Sequence, residues 1–432
     1  MRMKRYDKYK DSGIAWLGKI PEHWKVTKIN RAFSLIGSGT TPKSGDPKYY
    51  DNGTINWLNT GDLNDGLITE TSRKITKEAL DDFSTLKIYP QDSIVIALYG
   101  ATIGKLGFLN IETTTNQACC VISESNKITQ KYLFYFLLSS KEHIISMSYG
   151  GGQPNISQEL IRQLPILHLS FEEQQKIAAY LDHTVDLIDS TIKQKQAQSE
   201  RLQAYRKSMI NEVVTKGLNP DAPMRDSGIE WLGEIPKHWK ITRVKNIVHL
   251  ISEKLPNSTS VKVGLENIET KTGKFIPTES VFEGEGVEFL KEDILFGKLR
   301  PYLAKVYLSD FKGQAVGDFF VFRAKDKVLP KYIANLFLSD FFISVVDGST
   351  YGAKMPRANW DFISNTMIAL PETLNEQTQI VNHIEQRTTK IDKITAELKA
   401  QIDKLKEYKT AIISEAVTGK IDLREWVEPT KK

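Results

Sequence analysis

The chain of 432 residues carries 58 Lys and Arg against 53 Asp and Glu, a formal charge of +5, and is 40% hydrophobic. It is too long for one ordinary domain and apolar enough for more than one core, so two or more domains are expected; the mild positive charge suits a polyanionic partner without requiring one. No apolar run approaches a membrane span, the basic start has no apolar segment after it, and the two cysteines are adjacent with no metal-ligand or disulfide spacing, so a soluble cytoplasmic protein is expected.

In chain order, the first element is an arm, DSGIAWLGKIPEHWKVTKI, from Asp11 to Ile29. A loop rich in Gly, Thr, Lys and Tyr follows from Gly37 to Gly53, and then come short strand-like runs such as SIVIALY at Ser93. GATIGKL from Gly100 has the look of a phosphate loop. Three residues rather than four separate its glycines, however, and Leu106 stands where Ser or Thr would ligate magnesium, so it reads as a strand-to-turn segment. Cys119 and Cys120, between Ala118 and Val121, read as a buried structural strand, and KYLFYFLLSS at Lys131 as an amphipathic helix. A long helix comes next, with Leu181, Ile188, Lys195, Leu202 and Met209 at seven-residue intervals and Thr184, Thr191, Gln198 and Tyr205 as companions. Lys195 is expected to reach solvent rather than fix the register.

The arm then returns as DSGIEWLGEIPKHWKITRV from Asp226 to Val244, a shift of 215. EEQQKIAAYLD at Glu172 returns as NEQTQIVNHIE at Asn375, and VVTKG at Val213 as AVTGK at Ala416, both with a shift of 203. Weaker matches join Asp92 onward to DILFGKLRPYLAK at Asp293, the Lys131 helix to KYIANLFLS at Lys331, and YGGGQPN to YGAKMPR, with FFVFRA at Phe319 a further strand. The first copy is longer chiefly at Gly37 to Gly53, set against SEKLPNSTS from Ser252 to Ser260. A second long helix repeats the seam with Ile384, Ile391, Leu398, Leu405 and Ile412, beside Arg387, Ile394, Gln401 and Tyr408.

The expected fold is α+β: two tandem mixed α/β domains, separated and followed by long helices that pair as an antiparallel coiled coil about a pseudo-twofold axis. The expected divisions are 1–168, 169–218, 219–371 and 372–432. Such a chain can read two half-sites on DNA as a dimer does, while letting the halves diverge. Segments that stay alike should contact something present twice; segments that differ should contact different sequences. The first domain's reading candidates are Thr40, Thr41, Lys43, Ser44, Lys48, Tyr49, Tyr50, Asn59 and Thr60, with Lys105 on the Gly100 segment. Hydroxyl and ammonium groups suit phosphate, and Asn suits an adenine edge. The second domain's set is Lys262, Lys271, Lys274, Lys298, Arg300, Tyr302 and Lys305, with Arg300 the strongest single candidate because its fork can pair with guanine or clamp a phosphate. Gln153 and Asn155, with Lys354 and Arg357, form a matched pair of loops whose plain alternative is a turn before a helix.

The paired SGI-x-WLG-x-IP-x-HW arms, the GATIGKLGF segment, the EQ-x-x-I helix starts and the VVTKG/AVTGK helix ends closely resemble the specificity subunits of Type I restriction-modification systems, over nearly the whole chain. The resemblance implies a non-catalytic subunit with two target-recognition domains, each reading half of a split asymmetric double-stranded DNA site at a spacing set by the helices. It further implies two methylation subunits that carry S-adenosylmethionine, restriction subunits that use ATP and magnesium, and no cofactor on this chain. The twofold contacts with the methylation subunits are expected at Trp16, Trp24, Glu173, Gln174, Trp231, Trp239, Glu376 and Gln377. No methyltransferase Asn/Asp-Pro-Pro-aromatic signature and no His-Glu-x-x-His helix occurs, so a self-contained enzyme has nowhere to keep its active site. The other alternative is a coiled-coil scaffold that reads no DNA sequence.

Overall fold

A computed structural model describes residues 4–149, 154–255, 261–278, 285–350 and 355–429. It divides into two compact units, Met1–Gln194 with Gln401–Lys432, and Lys195–Ala400. The divisions fall inside two long helices, Phe171–Lys216 of 46 residues and Leu374–Val417 of 44 residues, so each helix gives one end to each unit.

The first unit is built on a five-stranded sheet in the order Leu35–Gly37, Cys119–Ser123, Ile94–Ala97, Leu106–Leu109, Gly66–Ile68. The two central strands, Cys119–Ser123 and Ile94–Ala97, are buried along their whole length because both faces of the sheet are covered. Ile94, Ile96, Leu106, Cys120 and Ile122 pack with Tyr132, Leu133 and Phe136 of the helix Gln130–Ser139. Val95, Ala97, Leu109, Cys119 and Val121 pack instead with Leu58, Leu63 and Tyr89. The period-2 alternation therefore sends Cys119 and Cys120 into two different cores. Both are free thiols, and burial raises the Cys120 thiol to about 12, which suits the structural role expected of them. A small sheet, Thr114–Thr115, Ile55–Leu58 and Lys74–Ile75, adjoins the Gly37–Gly53 loop.

The second unit repeats the frame with a four-stranded sheet, Val248–Ile251, Phe319–Ala324, Ile294–Gly297, Val306–Leu308. Ile294, Phe296, Val306, Phe320 and Phe322 face Tyr332, Ile333 and Phe337 of the helix Pro330–Leu338, while Leu295, Tyr307, Phe319 and Val321 face Val263 and Phe289. Its counterpart of the small sheet is four-stranded, Lys254–Leu255, Gly286–Phe289, Gly313–Ala315, Lys262–Val263.

The strand register corrects the sequence match between the copies by one residue. Ile94 pairs with Ile122 as Ile294 pairs with Phe322, and Asp92 and Glu292 both have positive φ, 61° and 71°. Asp92 therefore answers Glu292, not Asp293, and Gly100 answers Arg300.

In each unit the helix ends pack antiparallel. In the first, Leu181, Val185, Ile188 and Ile192 share a core with Ile402, Ile412, Ile413 and Ala416, and Lys409 Nζ lies 2.7 Å from Asp189. In the second, Gln203 donates to Thr395 at 3.4 Å and Arg206 lies 3.7 Å from Asp392. The seam's seven-residue series is buried at Leu181, Ile188, Met209, Ile384, Ile391, Leu398 and Ile412, but its companions are corrected. Tyr205, Tyr408 and Ile394 are exposed, and the buried partners lie four residues on rather than three, at Val185, Ile192 and Ile402. A step of four places a side chain on the same helix face as surely as a step of three, and here the apolar residues take the former.

Candidate nucleic-acid interface

The repeated arms are the natural starting point, because both copies build the same junction. Each arm is a hairpin, Tyr9–Asp11 with Lys19–Pro21 and Met224–Asp226 with Glu234–Pro236, followed by a strand, Lys25–Lys28 or Lys240–Arg243. That strand pairs with Pro165–His168 or Met367–Leu370, just ahead of a long helix. The arm's His-Trp pair grips a glutamate in the helix's first turn. His23 Nε2 lies 2.9 Å from Glu173, and Trp24 Nε1 donates to it at 3.3 Å; His238 Nε2 lies 3.0 Å from Glu376, and Trp239 Nε1 donates to it at 2.8 Å.

The following glutamine closes the junction. Thr129 N–H donates to Gln174 Oε1 at 2.6 Å, and the amide donates to the carbonyls of Lys127 and Leu169. Gln377 does the same with Leu329 N–H and the carbonyls of Lys327 and Pro371. Tyr132 then donates to the carbonyl of Val417 and Tyr332 to that of Val214, tying in the end of the other long helix.

These contacts correct the expectation of a second-protein contact at Trp24, Trp239, Glu173, Gln174 and Gln377. Trp24, Trp239, Gln174 and Gln377 are 0–1% exposed and Glu173 is 7% exposed, so their recognition chemistry is used inside the units. Glu376 is half-buried in the same kind of contact. Trp16 and Trp231 are half-buried against their own unit's core, Trp16 with its ring stacked on His143 at 4.7 Å. Similarity between copies reports a contact made twice, and here that contact is internal.

Among the first unit's reading candidates, Lys43 and Ser44 are exposed. Lys48 and Tyr49 converge on Asp82, whose carboxyl the Lys48 and Tyr49 hydrogen bonds hold below its ordinary range. Thr41 donates to Gln117 at 2.7 Å, Tyr50 donates to the Pro42 carbonyl at 2.7 Å, and the Thr40 carbonyl accepts from Trp57. These contacts brace the loop. Asn59 is engaged within the unit: its amide donates to the Trp57 carbonyl and accepts from Asn116, and its N–H donates to Asp62, so it caps the start of the turn Thr60–Asp62. Lys105 is half-buried just after Gly104.

In the second unit Lys262 is half-buried, and Lys271 and Tyr302 are exposed. Lys274 and Lys305 each have a partner within their own unit. Lys274 pairs with Asp392 of the second long helix at 2.7 Å, and Lys305 donates to the Leu265 carbonyl at 2.7 Å. Arg300 is exposed at φ 51°, in the left-handed region that non-glycine residues rarely take. Lys298 lies with its ammonium 4.5 Å over the Phe320 ring, and burial lowers its pKa. Arg357 is exposed, and its guanidinium donates to Asp318 at 3.0 Å.

Each matched loop bridges a neighbouring segment of its own unit: Tyr99 bridges Asn155, and Leu299 bridges Arg357. Gln153 and Lys354 lie outside the described residues. Asp318 was not foreseen, since a single acid in the run GQAVGDFF carries no pattern, although its place just before the FFVFRA strand puts it beside the loop. Among the described residues no cluster of metal-ligating side chains occurs, and no helix is long and apolar enough to cross a membrane.

Two copies of one mixed α/β frame, with matched loops of different side chains and shared long helices, define a modular recognition protein. The profile of the family described as the Type I restriction modification DNA specificity domain matches residues 21–201 and 236–404, and the chain belongs to that family. It is thus a recognition subunit rather than a catalytic one. It is 24% identical to the Type I restriction enzyme MjaVIII specificity subunit of Methanocaldococcus jannaschii, over 94% of this chain and 95% of that one. It is 26% identical to the MjaIX specificity subunit of the same organism, over 95% and 96%. Among solved structures, a chain of a type I R-M system superposes with TM-score 0.72 at 13% identity, covering 93% of this chain and 99% of that one. The HsdS subunit from Thermoanaerobacter tengcongensis does so with TM-score 0.54 at 13% identity, covering 93% and 98%. Both likenesses concern the fold.

Proposed function

We propose that each unit reads one half of a bipartite, asymmetric site on double-stranded DNA, and that the long helices set the distance between the halves. The observation that carries this reading is the pairing of one repeated frame with two different sets of loop side chains. A frame held constant by its junction presents different chemistry to different sequences. The 46 and 44 residues of the helices correspond to roughly 65–70 Å of rise, ample for half-sites one or more turns of DNA apart. The chain would work in the cytoplasm by joining two methylation subunits to DNA, and restriction subunits through them. S-adenosylmethionine would belong to the methylation subunits and ATP and magnesium to the restriction subunits, with no cofactor on this chain.

Co-expression with the methylation subunit, followed by genome-wide mapping of methylated adenines, tests the reading. A split motif that disappears when this chain is deleted is the expected result; methylation unchanged by the deletion would leave a scaffold without sequence reading. Lengthening both helices by whole turns should widen the gap in the motif, and an unaltered gap would sink the spacer role.

A further inference from the structure

The two matched loops rest on the same backbone. Leu98 N–H donates to the Ala118 carbonyl at 2.8 Å, and Lys298 N–H to that of Asp318 at 2.7 Å; Ile156 N–H donates to Leu98 at 2.7 Å, and Ala358 N–H to Lys298 at 2.8 Å. Gly100 and Arg300 share a positive φ, 83° and 51°. Four positions therefore correspond through backbone geometry alone, Leu98 with Lys298, Ala118 with Asp318 and Asn155 with Arg357 by hydrogen-bond register and Gly100 with Arg300 by φ. The first unit holds no charge at any of them. The second holds three cations and one acid.

Resting on the DNA reading above, we propose that Arg357, held by Asp318, and its neighbour Arg300 form a guanine reader in the second unit, directed at the major-groove edge of a G·C pair. The phosphate backbone is common to both half-sites, so residues that only bind phosphate have no reason to be present in one copy of a frame and missing from the other. Base edges do differ between the halves. Asp318 argues in the same direction. A carboxylate 26% exposed beside the guanidinium would repel a phosphate, but it fixes one terminal nitrogen of Arg357 and leaves the rest of the fork to reach the O6 and N7 acceptors of guanine. Arg300 is exposed on a backbone that a glycine takes in the first unit. Lys298, with its ammonium over Phe320, floors the cluster.

The test uses the full chain assembled with its methylation subunit and a pool of duplexes randomised across both half-sites. Arg357→Ala should lower the preference for G·C at one position of one half-site by roughly 10- to 100-fold, while the other half-site keeps its sequence and serves as the control for folding. Arg357→Lys should restore it only in part, because an ammonium lacks the rigid planar fork that Asp318 can hold in place. Asp318→Asn should weaken the same position to a smaller degree, and Arg300→Gly should remove preference at that position or the adjacent one. Unchanged preferences in Arg357→Ala overturn the proposal. So does an even loss of affinity for all sequences that Arg357→Lys repairs, which marks a phosphate contact. A wild-type complex that selects no split motif overturns the DNA reading itself, and it is told apart because that failure precedes any variant.

Discussion

The junctions and the loops behave in opposite ways across the two copies. At the junctions, His23, Trp24, Glu173 and Gln174 are repeated by His238, Trp239, Glu376 and Gln377, with equivalent partners, all at hydrogen-bond distance. At the loops the backbone is repeated, but Leu98, Ala118 and Asn155 give way to Lys298, Asp318 and Arg357. A buried indole and a buried amide have a fixed set of acceptors and donors to satisfy, which leaves no freedom to change one member alone. An exposed loop side chain on a satisfied backbone has that freedom. Duplication followed by divergence is therefore tolerated at the loops and resisted at the junctions, and the split matches a division between holding the frame and reading a ligand.

The strongest way to break this comparison is to remove the indoles. Trp24→Ala and Trp239→Ala should each destabilise their unit by about 3–5 kcal/mol, as deletion of a fully buried aromatic does. The measurement is the urea midpoint of each variant. Effects that differ several-fold between the two would mean that the junctions are alike in appearance only. Next comes the glutamine. Gln174→Leu strands the Thr129 N–H, and Gln377→Leu strands the Leu329 N–H, in each case at a cost of about 1–3 kcal/mol. Equal losses sharpen the equivalence; a loss confined to one variant denies it.

The first junction also has an addition. The Asp422 side chain, in the tail after the second long helix, is 4% exposed and takes three hydrogen bonds from Arg424, one from its N–H and two from the guanidinium, which lies 4.9 Å over the Tyr6 ring. The Arg424 hydrogen bonds hold the Asp422 carboxyl below its ordinary value of 3.8. A carboxyl with a depressed folded pKa contributes stability that is complete above that ordinary value and is lost as pH falls through the folded one. Asp422→Asn should therefore narrow the difference in stability between neutral pH and about pH 3. The effect should be smaller than that of the glutamines. An acid-side profile identical to the parent's would show that this pair adds nothing to the first unit.

Much of this organisation is legible in the sequence. The arms are easy to find because the Leu, Ile, Pro and Trp of LG-x-IP-x-HW are buried and the Gly takes positive φ in both copies, and the seven-residue series is easy to find because helix burial repeats. What escaped has physical causes. Glu173 meets His23 and Trp24 across about 150 positions of chain, and similarity between copies cannot tell an internal contact from an external one. Lys274 and Lys305 carry the right charge for DNA, but a sequence does not reveal that Asp392 or the Leu265 carbonyl waits beside them. The one-residue slip between the copies arose because Asp92 and Asp293 match in letters, whereas Asp92 and Glu292 match in φ. That slip concealed the correspondence of Gly100 with Arg300, the position at which the copies differ most in chemistry.

The smallest predicted effects fall at this correspondence and separate stability from reading. The first unit places Gly100 and Gly104 at φ 83° and 75°, while the second places Arg300 and Ala304 at 51° and 46° in the equivalent turn. A residue with a Cβ in the left-handed region is strained by about 1–2 kcal/mol, and glycine loses about 0.4–1 kcal/mol through its freer unfolded chain, so the net favours glycine by up to about 1.6 kcal/mol. Ala304→Gly should raise the stability of the second unit by that amount without altering the half-site it selects. Arg300→Gly should raise stability similarly and reduce the selection. Conversely, Gly100→Ala should cost about 1 kcal/mol from φ alone, since an added Cβ there meets nothing within 4 Å. If Arg300→Gly leaves selection intact and only stabilises, the strained arginine has no ligand to justify it, and the difference between the two loops carries no reading. If it stabilises and blurs one half-site together, strain in the second unit is retained because it aims a side chain that the first unit does without.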